Sequence, residues 1–181
     1  MNAINKHMRQ VEEGMTLLDQ GEVETLINLL KIVRRKGGVV YTFGNGGSAA
    51  TASHFANDSL KMGRVKAICL NDSYPVVSAY GNDEGWEKMY MHPLIRLFNA
   101  DRDVAFGISC SGNSANVIKA LEWALGSGGV AVGLTGSDDY SRINKLELLA
   151  LVHARVPDIR VQEDLHSIVC HAVMRALQEI E

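Results

Sequence analysis

The stretches VVYTFGNGGS at residues 39–48 and DVAFGISCSGNSA at residues 103–115 decide the fold of this chain. Each begins with a short apolar run, typical of a buried strand, and ends in a loop of glycine, serine and asparagine. Each is followed by a helical pattern, so each loop is predicted to lie at a helix N-terminus. Unpaired backbone N–H groups and the helix dipole favour an anion there. Two such loops predict one phosphate held from two sides, as in a sugar-phosphate pocket.

Strands and helices alternate along most of the sequence. The strands are predicted at residues 39–43, 66–70, 103–108, 130–135 and 148–152, and the helices at 48–61, 74–80, 86–99, 114–127 and 162–180. Short apolar strands separated by helices indicate a parallel sheet covered on both faces. The predicted fold is therefore a three-layer α/β/α domain with a five-stranded parallel sheet in the flavodoxin-like order 2-1-3-4-5. This order makes the first and third strands neighbours, so that both loops share one site beyond their carboxyl ends.

Two further helices are predicted before the sheet. Apolar residues recur at helical spacing from residue 8 to residue 35, and Asp19, Gln20 and Gly21 interrupt them. This pattern predicts an N-terminal helical hairpin within residues 1–36, with Gly21 as a C-cap glycine. The hairpin is expected to pack on the core or on a neighbouring subunit. The whole chain, residues 1–181, is expected to form one domain.

The composition excludes several classes of function. The chain is 46% hydrophobic and 22% charged with a net charge of −3, so it offers no basic field for nucleic acid or an anionic membrane. The start lacks the apolar core of a signal peptide, and no apolar run approaches the length of a membrane span. Cys69, Cys110 and Cys170 are an odd number without metal-type spacing. These features predict a cytoplasmic protein. Cys110, inside the second loop, is interpreted as a small structural residue rather than as a nucleophile.

Two pairs of histidine and carboxylate side chains lie on the helices near the loops. His54 and Asp58 are four residues apart on the helix after the first loop, which places them on one face. Glu163 and His171 are eight residues apart on the last helix, nearly in phase at 3.6 residues per turn. His166, three residues after Glu163, is a further candidate for the site.

Two imidazoles and two carboxylates suit an aldose–ketose isomerase. One base removes a proton beside the carbonyl, and one acid protonates the carbonyl oxygen. The same groups also suit a zinc ion, which would polarise the carbonyl. A pair such as His54 and Asp58 is also common as a simple surface pair, and histidines near the end of a terminal helix commonly face solvent or favour the helix dipole. The segment GNGGSA at residues 44–49 matches a dinucleotide-binding pattern as well, with Asp72 as a possible ribose ligand. A nicotinamide site would leave the second loop without a role, which favours the phosphate interpretation.

With these residues in view, the chain resembles the sugar isomerase (SIS) domain family, and within it the phosphoheptose isomerases, over nearly its whole length. The resemblance is carried by GNGGS at 44–48, SHFA at 53–56, GND at 81–83, GISCSGNSANVI at 107–118 and VGLTG at 132–136. It implies isomerisation of sedoheptulose 7-phosphate to D-glycero-D-manno-heptose 7-phosphate, or of a closely related sugar phosphate, through an enediol(ate). It also implies a homotetramer with active sites between subunits. The alternative is a noncatalytic SIS protein that binds a phosphosugar or the bacterial replication initiator. The presence of His54 and Asp58 argues against the initiator-binding branch.

The resemblance also implies roles for individual residues. Asp58 and His171 would be the catalytic acid–base pair, and one zinc ion per site would bind His54, Asp58, Glu163 and His171. The substrate-binding residues would be Asn45, Ser48, Asp83, Ser109, Ser111, Asn113 and Ser114, with the serines at the phosphate and Asn45 and Asp83 near the sugar hydroxyls. The family has glutamate at Asp58 and, if the two histidines are aligned without a gap, glutamine at Glu163. These two departures suggest a divergent branch that acts on a related phosphosugar.

Overall fold

A computed structural model, which describes residues 2–136 and 138–179, contains a five-stranded parallel sheet. The strands are β1 (Val39–Gly44), β2 (Lys66–Cys69), β3 (Val104–Ser109), β4 (Val130–Thr135) and β5 (Ala150–His153), in the order β2-β1-β3-β4-β5. β1 pairs with β3 from Val40 opposite Val104 to Gly44 opposite Ile108. The predicted fold class and strand order are confirmed, and the two loops leave neighbouring strands.

The helices cover both faces of the sheet. They are α1 (Ala3–Thr16), α2 (Gln20–Lys36), α3 (Gly47–Lys61), α4 (Tyr74–Asp83), α5 (Met91–Leu97), α6 (Ala115–Gly126) and α7 (Ile159–Gln178). Because side chains alternate along a strand, Val40 and Phe106 pack against α2, α3 and α7, whereas Tyr41 and Phe43 pack against α5 and α6. α1 lies outside α7. Within the described ranges, no helix combines the length and apolar character needed to cross a bilayer.

The two N-terminal helices form as predicted, but their junction differs. α1 ends at Thr16, and Asp19 is the N-cap of α2, where its carboxylate accepts hydrogen bonds from the backbone N–H groups of Gly21 and Glu22 at 2.8 and 3.3 Å. The prediction of Gly21 as a C-cap was wrong. Aspartate is a strong N-cap residue, so α2 begins directly after Asp19 and Gly21 lies in its first turn.

The helix predicted over residues 86–99 is divided, so this prediction was also wrong. A short 3₁₀ helix, Trp86–Lys88, precedes α5. Pro93 lies in the first turn of α5, where a missing N–H is tolerated, whereas a continuous helix from Trp86 would place it in the interior. Other boundaries move by one to three residues; α7, for example, begins at Ile159 after the N-cap Asp158. The predicted end of the last helix at residue 180 lies outside the described residues.

α3 and α7 lie side by side and run in the same direction. Contacts join them at successive turns: Gly47 to the Glu163 carboxylate, Thr51 Oγ1 to Ser167 Oγ at 3.5 Å, His54 Nε2 to His171 Nε2 at 3.0 Å, and Ser59 Oγ to Met174 Sδ at 3.8 Å. The two helices therefore form one seam that starts at the loop after β1. The histidine and carboxylate side chains predicted from the sequence lie along this seam.

Candidate active site

Loop 1, residues 44–48, joins β1 to α3 at the carboxyl edge of the sheet. Gly46 is the N-cap of α3 with φ 55° and ψ −123°, a conformation that favours glycine over residues with a Cβ. Ser48 lies in the first turn of α3 and is 5% exposed, with its Oγ 3.9 Å from the Sγ of Cys110. Cys110 belongs to the loop that follows β3, so the two loops meet through these side chains.

Loop 1 is held by polar side chains that the sequence reasoning missed. The Asn45 and Asn116 amides exchange two hydrogen bonds, of 2.9 Å from Asn45 Nδ2 and 2.8 Å from Asn116 Nδ2. The Tyr90 hydroxyl accepts a hydrogen bond from Asn71 Nδ2 at 2.8 Å and donates one to the Gly44 carbonyl. Burial raises the pKa of Tyr90 to about 12, so the hydroxyl keeps its proton. Asn45, predicted to lie near the sugar hydroxyls, therefore has its amide oriented by the protein.

Loop 2, residues 109–114, joins β3 to α6 and gathers three hydroxyls. Ser109 Oγ donates to Ser114 Oγ at 3.1 Å and lies 3.4 Å from Ser111 Oγ. Ser114 is the N-cap of α6, but its side chain makes no cap hydrogen bond. Asn113 supports the loop itself, because its Nδ2 donates to the Ser111 carbonyl at 2.9 Å and its Oδ1 accepts from the Arg142 backbone N–H at 2.9 Å. Three hydroxyls at a helix N-terminus are an arrangement suited to an anion.

Cys110 lies between Ser109 and Ser111 in loop 2 and is 8% exposed. Burial, followed by the negative charge of Glu163, raises the pKa of the Cys110 thiol to about 11. The thiol therefore stays protonated, which agrees with its interpretation as a structural residue rather than a nucleophile. Its Sγ is 3.8 Å from Nδ1 of His166, a residue that is 1% exposed. His166, predicted as a candidate for the site, is thus buried beside loop 2.

His54, Asp58 and His171 converge on the seam between α3 and α7. One ligand atom from each of these side chains lies within 4.8 Å of the others. His54 Nε2 is 3.0 Å from His171 Nε2 and 3.2 Å from Asp58 Oδ2. Asp58 is buried, whereas both imidazoles are exposed. At 3.0 Å the two ring nitrogens need a shared proton or a cation between them, since two bare lone pairs repel each other.

Two predicted site residues lie apart from this cluster. Glu163 precedes His171 by about 12 Å along the axis of α7, and its carboxylate lies against Gly47, where a Cβ would overlap it. Glu163 therefore borders loop 1, and its charge acts on the Cys110 thiol. Asp83 ends α4, is exposed, and accepts a hydrogen bond from Asn82 Nδ2 at 2.7 Å.

Comparisons with known proteins identify relatives of this chain. A family model described as the SIS domain matches residues 2–136. Phosphoheptose isomerases from Geobacter sp. (strain M21) and Campylobacter jejuni subsp. jejuni serotype O:2 are each 34% identical to this chain, over 98% and 96% of it and 97% and 94% of their own lengths. The structure is similar to that of phosphoheptose isomerase GmhA from Neisseria gonorrhoeae, with a TM-score of 0.88 and 28% identity over 98% of this chain and 95% of that one.

Proposed function

This chain belongs to the SIS domain family and, within it, to the phosphoheptose isomerases, and we propose that it interconverts sedoheptulose 7-phosphate and D-glycero-D-manno-heptose 7-phosphate. The observation that carries the proposal is the convergence of His54, Asp58 and His171 on the α3–α7 seam, which begins at loop 1. The likeness to phosphoheptose isomerases over nearly the whole chain supports the same reaction.

The two loops would hold the phosphate of the substrate. Ser48 of loop 1 and the hydroxyls of Ser109, Ser111 and Ser114 of loop 2 supply hydrogen-bond donors, and α3 and α6 supply helix N-termini. His54 follows Ser48 by roughly 9 Å along the axis of α3. An extended sugar phosphate of six or seven carbons bridges such a distance, so its carbonyl end would reach the cluster. Asn45 and Asp83 are proposed to contact the sugar hydroxyls, and Asn113 is proposed as a further substrate-binding residue.

Asp58 and His171 would carry the proton transfers. One of them takes the proton from the carbon beside the carbonyl while the other protonates the carbonyl oxygen, which gives an enediol. Return of a proton to the former carbonyl carbon, with loss of the proton from the neighbouring hydroxyl oxygen, completes the exchange of ketose and aldose. The Asp58 carboxylate is buried and oriented for this role, because Asn57 Nδ2 donates to its Oδ1 at 3.0 Å and His54 Nε2 lies 3.2 Å from its Oδ2.

The same cluster suits a zinc ion. Two imidazole nitrogens and a carboxylate oxygen are common zinc donors, and those of His54, His171 and Asp58 already face one another. When bound, zinc supplies polarisation of the carbonyl and stabilisation of the enediolate charge. Glu163 is proposed as a fourth ligand from the resemblance alone. Its carboxylate lies against Gly47, so ligation by Glu163 requires its side chain to move along the seam.

We further propose a cytoplasmic homotetramer with active sites between subunits. His54 and His171 are exposed in the single chain, and so are Tyr74 at 76% and Trp86 at 59%. Exposed aromatic side chains and an open cluster support coverage by another copy. The three cysteines are free and buried, which supports a reducing compartment. Size-exclusion chromatography with light scattering measures the assembly.

Turnover of sedoheptulose 7-phosphate by the purified protein, paired with its zinc content, tests the proposal. The wild type should convert the substrate, and Asp58→Asn and His171→Gln should lose this activity while they still bind inorganic phosphate at the loops. His7→Gln is a matched control, since His7 is a partly exposed histidine on α1 that lies outside the proposed site. Folded wild-type protein that converts no heptose or hexose phosphate, with or without zinc, would contradict the proposal. Phosphosugar binding without turnover would instead support the noncatalytic alternative.

A further inference from the structure

His166 is a buried polar side chain on α7 that the proposed reaction does not use. Its Nε2 is 2.9 Å from the Thr135 carbonyl oxygen, and its Nδ1 is 3.8 Å from Cys110 Sγ. A carbonyl oxygen can only accept, so Nε2 carries the proton and Nδ1 accepts from the thiol. Burial lowers the pKa of His166 to about 4, so the imidazole stays neutral. The two hydrogen bonds therefore fix the imidazole ring in one tautomer and one orientation.

The Thr135 end of this contact is tied to loop 2. Thr135 is the last residue of β4, and its Oγ1 donates to the Ser109 carbonyl at 3.0 Å. The next backbone N–H, that of Gly136, donates to the Cys110 carbonyl at 3.0 Å. His166 completes this arrangement from α7, because it binds the Thr135 backbone and the Cys110 side chain together. The beginning of loop 2 is thus clamped between β4 and α7.

Cys110 extends the clamp to loop 1, since its Sγ lies 3.9 Å from Ser48 Oγ. α7 also carries Glu163, whose carboxylate lies against loop 1, and His171 of the acid–base cluster. One helix therefore contacts loop 1, loop 2 and the cluster. Among these contacts, the one through His166 is fully buried. Its two hydrogen bonds have defined directions, because Nε2 donates to the Thr135 carbonyl and Nδ1 accepts from the Cys110 thiol.

We propose that His166 is a positioning residue that fixes the two anion loops relative to the acid–base pair on α3 and α7. It acts through Cys110 and Thr135, and it sets the distance between the phosphate and the carbonyl end of the sugar. A misplacement of about 1 Å at a reacting centre costs roughly 100-fold in rate. Both consequences rest on the proposed function, the kinetic one on the isomerisation and the other on phosphate binding at the loops, which titration of the wild type measures separately.

Three variants test this role. His166→Leu removes both contacts, and His166→Gln keeps a donor toward the Thr135 carbonyl. Val173→Ala is the matched control, because Val173 is a fully buried residue of α7 in the core between helices and sheet. Calorimetric titration with inorganic phosphate, kcat and KM for the sugar phosphate, and Tm are measured for each. His166→Leu should weaken phosphate binding about tenfold, the equivalent of one lost hydrogen bond to a charged group, and lower kcat/KM about 100-fold. His166→Gln should recover most of both, and Val173→Ala should lower Tm alone.

Unchanged phosphate affinity in His166→Leu would overturn the proposal. Equal losses of affinity in Val173→Ala would also overturn it, since they would reflect general destabilisation. If His166→Leu does not fold, Cys110→Ala and Cys110→Ser replace it, and only the serine, which keeps a donor, should retain phosphate affinity. A wild type that binds the sugar phosphate but does not convert it would contradict the proposed function, while the phosphate affinities would still decide the role of His166.

Discussion

Acidification tests the buried, neutral imidazole of His166 directly. Burial lowers its pKa from 6.5 to about 4 in the folded chain, whereas the unfolded chain keeps the ordinary value near 6.5. Between these values the unfolded chain binds a proton that the folded chain does not bind. The free energy of unfolding therefore falls as the pH falls. The contribution of His166 is intact above about pH 6.5 and is lost by about pH 4.

The size of this loss follows from the two pKa values. Each pKa unit corresponds to about 1.4 kcal/mol, so the complete loss is about 3 kcal/mol at pH 4 and below. At pH 5 the unfolded imidazole is almost fully protonated and the folded one is not, and the loss is about 2 kcal/mol. For a chain of 181 residues this corresponds to a decrease in Tm of about 4–8 °C.

Urea unfolding of the wild type and of His166→Gln at pH 7 and pH 5 measures the effect. Glutamine does not titrate, and the remaining carboxylates and histidines titrate in both proteins and cancel in the comparison. The wild type should lose about 2 kcal/mol more than the variant between the two pH values. An identical pH dependence in both proteins would refute the reasoning, because it would mean that the folded chain protonates His166 as easily as the unfolded chain does.

Three other substitutions test neighbouring parts of the site. Tyr90→Phe removes a buried hydroxyl with two hydrogen bonds to the loop 1 region, so urea unfolding should show a loss of about 1–2 kcal/mol, and no loss would mean that loop 1 is held by other groups. Asn116→Ala removes both hydrogen bonds between the Asn116 and Asn45 amides and leaves Asn45 Oδ1 only its 3.2 Å contact with the Tyr90 hydroxyl, so it should cost about 2 kcal/mol in unfolding free energy and raise KM; an unchanged KM would mean that Asn45 does not contact the substrate. Glu163→Gln removes the negative charge beside Cys110, so the pH midpoint of Cys110 alkylation should fall, and an unchanged midpoint would contradict this placement of the carboxylate.

The fold followed from the sequence because its signals are local. The apolar runs before the two loops and the helical periodicity after them define strand, loop and helix within about fifteen residues each, and alternation of such units implies a parallel sheet. The errors arose where two local signals competed. Gly21 follows a strong N-cap, Asp19, and was interpreted as the end of one helix although it lies in the first turn of the next. Pro93 divides an apolar pattern that periodicity alone joins.

The site was predictable only within single helices. A separation of four positions on one helix places His54 and Asp58 on the same face, whatever packs against that face. His54 and His171 are separated by 117 positions, and only the parallel packing of α7 against α3 brings their ring nitrogens to 3.0 Å. The same packing places the Glu163 carboxylate at loop 1 rather than in the three-residue cluster. Helical phase alone could not distinguish these two positions, because Glu163 and His171 are nearly in phase on α7.

The residues that hold loop 1 also differ in whether the local sequence points to them. Asn116 lies within the segment GISCSGNSANVI, which already pointed to the site, but Tyr90 and Asn71 contact loop 1 across 46 and 27 positions and carry no signal in their own neighbourhood. The sequence by itself determined the element types, the sheet order and the chemical groups available at each helix face. The tertiary structure decided which group meets which, because the partner of a buried polar side chain is selected by packing between distant segments and not by its neighbours along the chain.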